Sequence, residues 1–243
     1  MIVVTGLQAE ARIAAAPGLK VFACGGDVGL RASAIRKAVF SGAPAIISFG
    51  IAGGLSSRLR PGDWVVATRV ISGGRHIETD AEWSNRLAER IPAAELGPIL
   101  SVADAVLQPD HKRRLHVNTG AAAVDMESFQ AAALAEELGV PFAAVRVVAD
   151  PMHREIPPAA RLGLRPDGTV AISAILGSLL RKPSQLPLLI RVSGDAMVAF
   201  RALLEGRERL GPYFASSHCP TVLASASVDA AEPDRQQSEP LPA

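Results

Sequence analysis

Four short segments of the 243-residue chain combine reactive or permissive residue types with places where a strand should end. That placement matters, because ligands of open α/β sheets bind beyond the carboxyl ends of the strands. The first segment is GLQAEAR, where Glu10 is suited to act as a base or to orient a water. A glutamate at a helix start also complements the helix dipole with no further role. The second is CGGDVGLRA, where Gly25 and Gly26 can turn backbone N–H groups toward an anion such as phosphate. It has neither the Lys-Ser/Thr of a P-loop nor a dinucleotide fingerprint, and a structural turn explains it equally well. The third is SFGIAGGL, where Ala52, Gly53 and Gly54 let a flat ligand lie against backbone or let two elements pack closely. The fourth is a pair, AVDMES and VRVVAD, each closing a strand pattern. Glu127 has two oxygens for the hydroxyls of a ribose diol, and Asp150 can carry a proton to a leaving base. Asp125 and Ser128 serve equally to cap the following helix, and Asp150-Pro151 to make a turn.

The elements that must hold these groups alternate along the chain. Strands are predicted at 2–5, 20–24, 45–49, 64–71, 99–106, 121–126 and 141–150. Helices are predicted near 9–16, from Leu30 with Ala34, Ile35 and Ala38 on one face, at 128–138, and from about 170 to 210. Gly139 fits a helix C-terminus. AIISF reads as a continuous apolar strand, as expected for a sheet covered on both faces, and PFAAVRVVAD as a buried strand ending at Asp150. The pattern gives an α/β three-layer sandwich around a mixed central β-sheet. It is one domain over residues 1–212, followed by a polar, Pro-rich tail at 213–243 with almost nothing to bury.

Composition narrows the function. The chain has 25 Lys and Arg against 24 Asp and Glu, a net charge of +1, which argues against a nucleic-acid partner. From Ser216 on there are four acids and the one base Arg235, so residues 1–215 hold 24 bases and 20 acids. That mild excess suits an anionic co-substrate or an anionic surface. Cys24 and Cys219 make neither a disulfide framework nor a zinc spacing, so no metal site is expected. MIVVTGLQAE lacks a basic leader, and no apolar run is long enough to span a bilayer, so a cytoplasmic protein is expected.

Taken together, FGIAGGLSSRLRPGDWVVA, VDMESFQAAALAEELGVPFAAVR and the strand-ending VVAD resemble the family of purine nucleoside phosphorylases and methylthioadenosine/S-adenosylhomocysteine nucleosidases over about residues 1–180. VVTGLQAEARIAA and LRPDGTVAISAILGSLLRKPSQLPLLIRVSGDAMVAFRALL narrow the resemblance to the hopanoid-associated phosphorylases. The broad resemblance implies cleavage of an N-glycosidic bond through an oxocarbenium-like transition state. It implies Asp150 as the acid for N7 of the purine, Glu127 on the ribose hydroxyls and Met126 against the sugar. Ala52, Gly53 and Gly54 would line the base and sugar, and Arg146 would support the nucleophile end or pair with Glu10. The narrow resemblance implies adenosylhopane as a lipid-linked substrate, adenine as one product, and ribosylhopane or its phosphate ester as the other. Water and phosphate both remain open as nucleophile, with phosphate favoured by the narrow resemblance, and no organic cofactor is implied. Two departures bear on this. Only Glu10 stands where the nucleosidases carry a run of glutamates, and Ile51 stands where a hydroxyl residue is common. A hydrolytic nucleosidase for methylthioadenosine or S-adenosylhomocysteine is the alternative. The family implies a homo-oligomer. The apolar runs AISAILGSLL and LPLLIRV, with RKPSQ between them, fit a lip for the hopane, an anionic membrane surface, or a core-facing amphipathic helix.

Overall fold

The computed structural model describes residues 1–157, 168, 169, 178 and 180–218. The expected helical stretch from 170 to 177, Cys219 and the tail beyond it lie outside the described residues.

Eight strands form one mixed sheet: β1 (Ile2–Thr5), β2 (Lys20–Ala23), β3 (Ile46–Gly54), β4 (Trp64–Ser72), β5 (Arg75–Glu78), β6 (Glu95–Ser101), β7 (Ala123–Asp125) and β8 (Phe142–Asp150). The order is β2-β1-β3-β7-β6-β4-β5, and β8 pairs with both β3 and β4. The sheet therefore closes on itself through β3, β8, β4, β6 and β7, with β1–β2 and β5 projecting from the ring. Helices α1 (Gln8–Ala14), α3 (Ala81–Arg90) and α6 (Leu186–Leu210) cover one face. Helices α2 (Ala32–Phe40) and α5 (Ser128–Leu138) cover the other, and α4 (Pro109–Thr119) lies beyond the end of β8. Alternation along β1 divides the two cores: Ile2 and Val4 face α2 and α5, Met1 and Val3 face α1 and α6. The α/β architecture with a mixed sheet between helical layers is as expected.

Three differences from the sequence pattern have physical causes. Strand β3 does not stop at Phe49 but runs on to Gly54, because it changes partner along its length. It pairs with β1 through Ser48 and with β7 from Gly53, while β8 follows it throughout. Helix α2 buries Ile35 and Ala38 but leaves Leu30 64% exposed, since residues 28–31 form a 3-10 turn that rotates Leu30 off the helical face. The packed chain also runs past 212. Phe214 is fully buried, its carbonyl accepts from the Trp83 indole at 2.7 Å, and Ala215 accepts from Arg86. Helices α3 and α4 escape the apolar pattern altogether, and α4 buries only Lys112.

Candidate active site

The change of partner in β3 creates the site. Residues 49–52 are past β1 and short of β7, so their backbone is free on that side to bind something else. Glu10, in the first turn of α1, fills the gap. Its Oε1 accepts from the Ile51 N–H at 2.7 Å, and its Oε2 accepts from Gly6 at 2.8 Å and Leu7 at 2.7 Å. Glu10 thus caps its own helix and ties β1 to β3. Burial pushes its carboxyl above the usual range, while the Arg146 charge and the three N–H donors pull it back.

Arg146 sits in mid-β8, opposite Gly50, and is fully buried. Its Nε donates to Asp125 Oδ2 at 2.7 Å. Its Nη2 donates to Ser48 at 2.7 Å, Ser128 at 3.2 Å and Glu127 Oε2 at 3.3 Å. The ion pairs of Arg146 are therefore with Asp125 and Glu127. The direct pair with Glu10 that the sequence allowed is replaced by attraction across Gly50, because Asp125 and Glu127 claim the nearer nitrogens. Among the described residues Nη1 has no hydrogen-bond partner. Asp125 also accepts from the hydroxyls of Ser101 and Ser128, so the buried charges share one polar network. Asp125 accepts the Ser128 N–H at 3.2 Å as well, which is the capping bond that the spacing suggested.

Glu127 enters this network between β7 and α5. Burial pushes its carboxyl up to about 8, against the pull of Arg146 and with the charges of Asp125 and Glu10 adding to the rise. Asp150 closes β8. Burial pushes its carboxyl up to about 6, while the ammonium of Lys112 works in the opposite direction. Lys112 is wholly buried and ion-paired with Asp150 Oδ2.

These groups meet at one cavity of about 190 Å³. Glu10, Ala52, Gly53, Met126, Glu127 and Asp150 all line it. Arg146 lies beneath the floor. Gly54 packs on Val148 and Pro151, off the wall. Gly25 and Gly26 do not reach the cavity either. The Gly25 N–H donates to the Gly6 carbonyl at 2.8 Å, so it has no free donor for phosphate. Gly26 instead seats Met126, whose Cε would lie 2.7 Å from a Cβ there.

Glycine plays the same part under each acidic group. A Cβ at Gly6 would lie 2.6 Å from Glu127 Oε1, at Gly50 2.5 Å from Glu10 Oε1, and at Gly53 3.0 Å from Asp150 Oδ2. Each carboxyl therefore lies against backbone, in space that a side chain would otherwise fill. Apart from Asp125, which belongs to the Arg146 network, the remaining side chains of the wall are apolar, among them Ile51, Val102, Ala105, Val106 and Ile156. Its two loops are tied together, since Ile156 N–H donates to the Leu107 carbonyl at 2.9 Å. No lysine, arginine or histidine is among the described residues lining the cavity.

Lys112, the apolar wall beyond Ile51, and Ser48 and Ser101 of the network were not visible in the sequence, where Ser128 showed only as a cap. Lys112 looks like any cation of a polar helix, and the serines are scattered over β3, β6 and α5. Gly6 did carry a signal, as the residue directly after the first strand.

Residues 12–162 match the model of the phosphorylase superfamily. Among solved structures, the chain is similar to the 5′-methylthioadenosine/S-adenosylhomocysteine nucleosidase of Helicobacter pylori, one mutant of which was solved with 5′-methylthioadenosine in the active site. That match has 16% identity, covers 86% of this chain and 98% of the other, and has a TM-score of 0.55. It is also similar to the futalosine hydrolase of the same organism, at 15% identity, 85% and 96% coverage and a TM-score of 0.57. A putative nucleosidase of the former kind from Francisella philomiragia gives 15%, 86% and 95%, and 0.58. At these identities the likeness is one of fold. No curated protein matches the chain.

Proposed function

The chain belongs to the phosphorylase superfamily, and from that premise we propose that it cleaves the N-glycosidic bond of adenosylhopane, releasing adenine and leaving ribosylhopane. The observation that supports this reading is the meeting of Glu10, Glu127 and Asp150 on one cavity with an apolar side at Val102, Ala105, Val106 and Ile156. In this reading Asp150, in its protonated form, gives its proton to N7 of the purine as the bond from C1′ to N9 breaks and its electron pair passes to the base. Glu127 accepts hydrogen bonds from the ribose hydroxyls, Met126 packs on the sugar, and Ala52 and Gly53 flank the base. Glu10 takes a proton from the water that adds to C1′.

Water is favoured over phosphate by the nucleophile end itself. Glu10 presents a carboxylate there, Ile51 offers no hydroxyl, and the Gly25 amide is already bonded. A phosphate dianion would meet a negative charge and no lining cation. A hopane is larger than this cavity, so the C5′ substituent must leave it, and the wall at Val102, Ala105, Val106 and Ile156 offers an apolar exit. Among the described residues no helix is long and apolar enough to cross a membrane. Leu186 and Ile190 are exposed on α6 beside the exposed cations Arg181, Lys182 and Arg191, which suits contact with the anionic bilayer that presents such a substrate. A cytoplasmic homo-oligomer belongs to the same reading.

The test is adenine release from adenosylhopane by the purified protein, with and without phosphate, read by chromatography. Release in both conditions is the expected result. Absence of adenine in both overturns the reading, and strict phosphate dependence assigns the nucleophile to phosphate. Comparable turnover of methylthioadenosine would favour the alternative, a hydrolytic nucleosidase for small thionucleosides, which the likeness to the nucleosidase structures supports.

A further inference from the structure

Lys112 is the one buried residue of α4, a helix otherwise exposed or half-buried. A lysine without solvent needs its charge balanced and its N–H groups used. Its ammonium is ion-paired with Asp150 Oδ2 and lies 3.2 Å from each of three backbone carbonyls, those of Asp150, Pro151 and Arg154. An ammonium has three N–H groups, and these four oxygens leave none of them without an acceptor. Arg154, in the same turn, pairs at 2.5 Å with Asp195 of α6. The end of β8, α4 and α6 are thus joined through two ion pairs, and Asp150 is at their centre.

We propose that Lys112 is a positioning residue for glycosidic cleavage, holding Oδ2 of Asp150 so that the transferable proton resides on Oδ1 and compensating the carboxylate left when that proton goes to the base. This rests on Asp150 being the acid. While Asp150 is protonated, Lys112 faces a neutral group. As the proton passes from Oδ1 to N7 and the glycosidic electron pair moves onto the purine, a carboxylate appears 16% exposed beside a buried ammonium. The attraction is therefore greater in the transition state than before it, which is the condition for a rate effect. Among the described residues no donor is bonded to Oδ1, which leaves that oxygen for the substrate. The other charged groups around Asp150 are Arg154 and its partner Asp195 on α6, and Glu10, Asp125 and Glu127 on the same cavity.

The experiment compares the pH dependence of adenine release by the full-length protein and its Lys112→Met and Lys112→Gln variants. Gln keeps donors for the carbonyls and guards against misfolding. Both variants are expected to move the alkaline limb of kcat/KM upward by about one pH unit or more. Both should lower the plateau by roughly 10- to 100-fold, because a less acidic Asp150 gives up its proton less readily. A 4-nitrophenyl riboside, whose leaving group needs no proton, should be cleaved within about 3-fold of the parent rate if only acidity has changed. An unmoved limb, or an equal loss on both substrates, assigns Lys112 a purely structural part and overturns the inference. So does a parent enzyme whose own limb lies well above the value of about 6 that burial, opposed by Lys112, gives Asp150. Asp150→Asn separates the two levels: if it leaves adenine release intact, the acid assignment itself has failed, whatever Lys112 does.

Discussion

Replacing Glu10 by Gln changes one oxygen to NH2 in a site where both oxygens accept backbone N–H groups. Oε2 accepts two such donors and Oε1 accepts one, so the amide will keep its oxygen toward Gly6 and Leu7. Its NH2 then faces the Ile51 N–H, 2.7 Å from where the carboxylate oxygen was. Two donors oppose each other, and Glu10 is 1% exposed, leaving little room for water to repair the loss. An unsatisfied buried donor costs about 1–3 kcal/mol. For a domain of this size that is roughly 2–12 °C in Tm. The same change removes the proposed base, with an expected loss of about 10²- to 10⁴-fold in kcat. Calorimetry and adenine release on the same preparation test both halves. An unchanged Tm would refute the three-donor cradle. A lowered Tm with activity intact would leave Glu10 as a structural cap and remove it from the mechanism.

Other outcomes follow from the same geometry. Asp150→Asn should lower kcat/KM by about 10²- to 10⁴-fold for adenine release, with a small effect on the nitrophenyl riboside. Since burial holds the Asp150 carboxyl at about 6, its protonated fraction falls as pH rises through that value, and kcat/KM of the parent should fall with it; a flat profile across neutral pH would assign the proton to another group. Gly6→Ala brings a Cβ within 2.6 Å of Glu127 Oε1, so it should raise KM for the nucleoside about 10-fold or more, and an unchanged KM would place the ribose elsewhere. Phe214→Ala empties a fully buried site at the edge of Phe49, 5.0 Å between ring centres, and removes the ring beneath Arg207. A loss of about 3–5 kcal/mol in urea unfolding is expected, and a neutral result would return the domain boundary to residue 212.

Much of this was legible in one dimension. The runs of β1, β3 and β8 mark themselves because a strand covered on both faces is mostly apolar, with Ser48 and Arg146 as the polar interruptions inside β3 and β8. Glu10, Glu127 and Asp150 stood out because each follows or ends such a run, where the sheet geometry puts ligands. Less was legible where the reason for a residue lies in a distant segment. Lys112 reads as solvated among PDHKRRLHVNT, and only the turn after β8 makes it buried. The glycines of CGGDVG read as an anion loop, yet Gly25 bonds β1's end and Gly26 seats Met126. Helix α3 shows little apolar character apart from Trp83 and Leu87, and its anchor, Phe214, lies 131 residues beyond Trp83.

By itself, then, the sequence determined the α/β class, the strands around the cavity and three of the acidic residues that line it, because burial periodicity and strand ends are local properties. Tertiary structure alone decided the partners: that β3 changes neighbours and so frees the Ile51 N–H for Glu10, that Arg146 serves Asp125 and Glu127, and that a lysine from α4 stands behind Asp150. Those facts set each carboxyl's proton affinity, which depends on burial and on charges within a few ångströms, and such distances exist only once the chain has closed on itself.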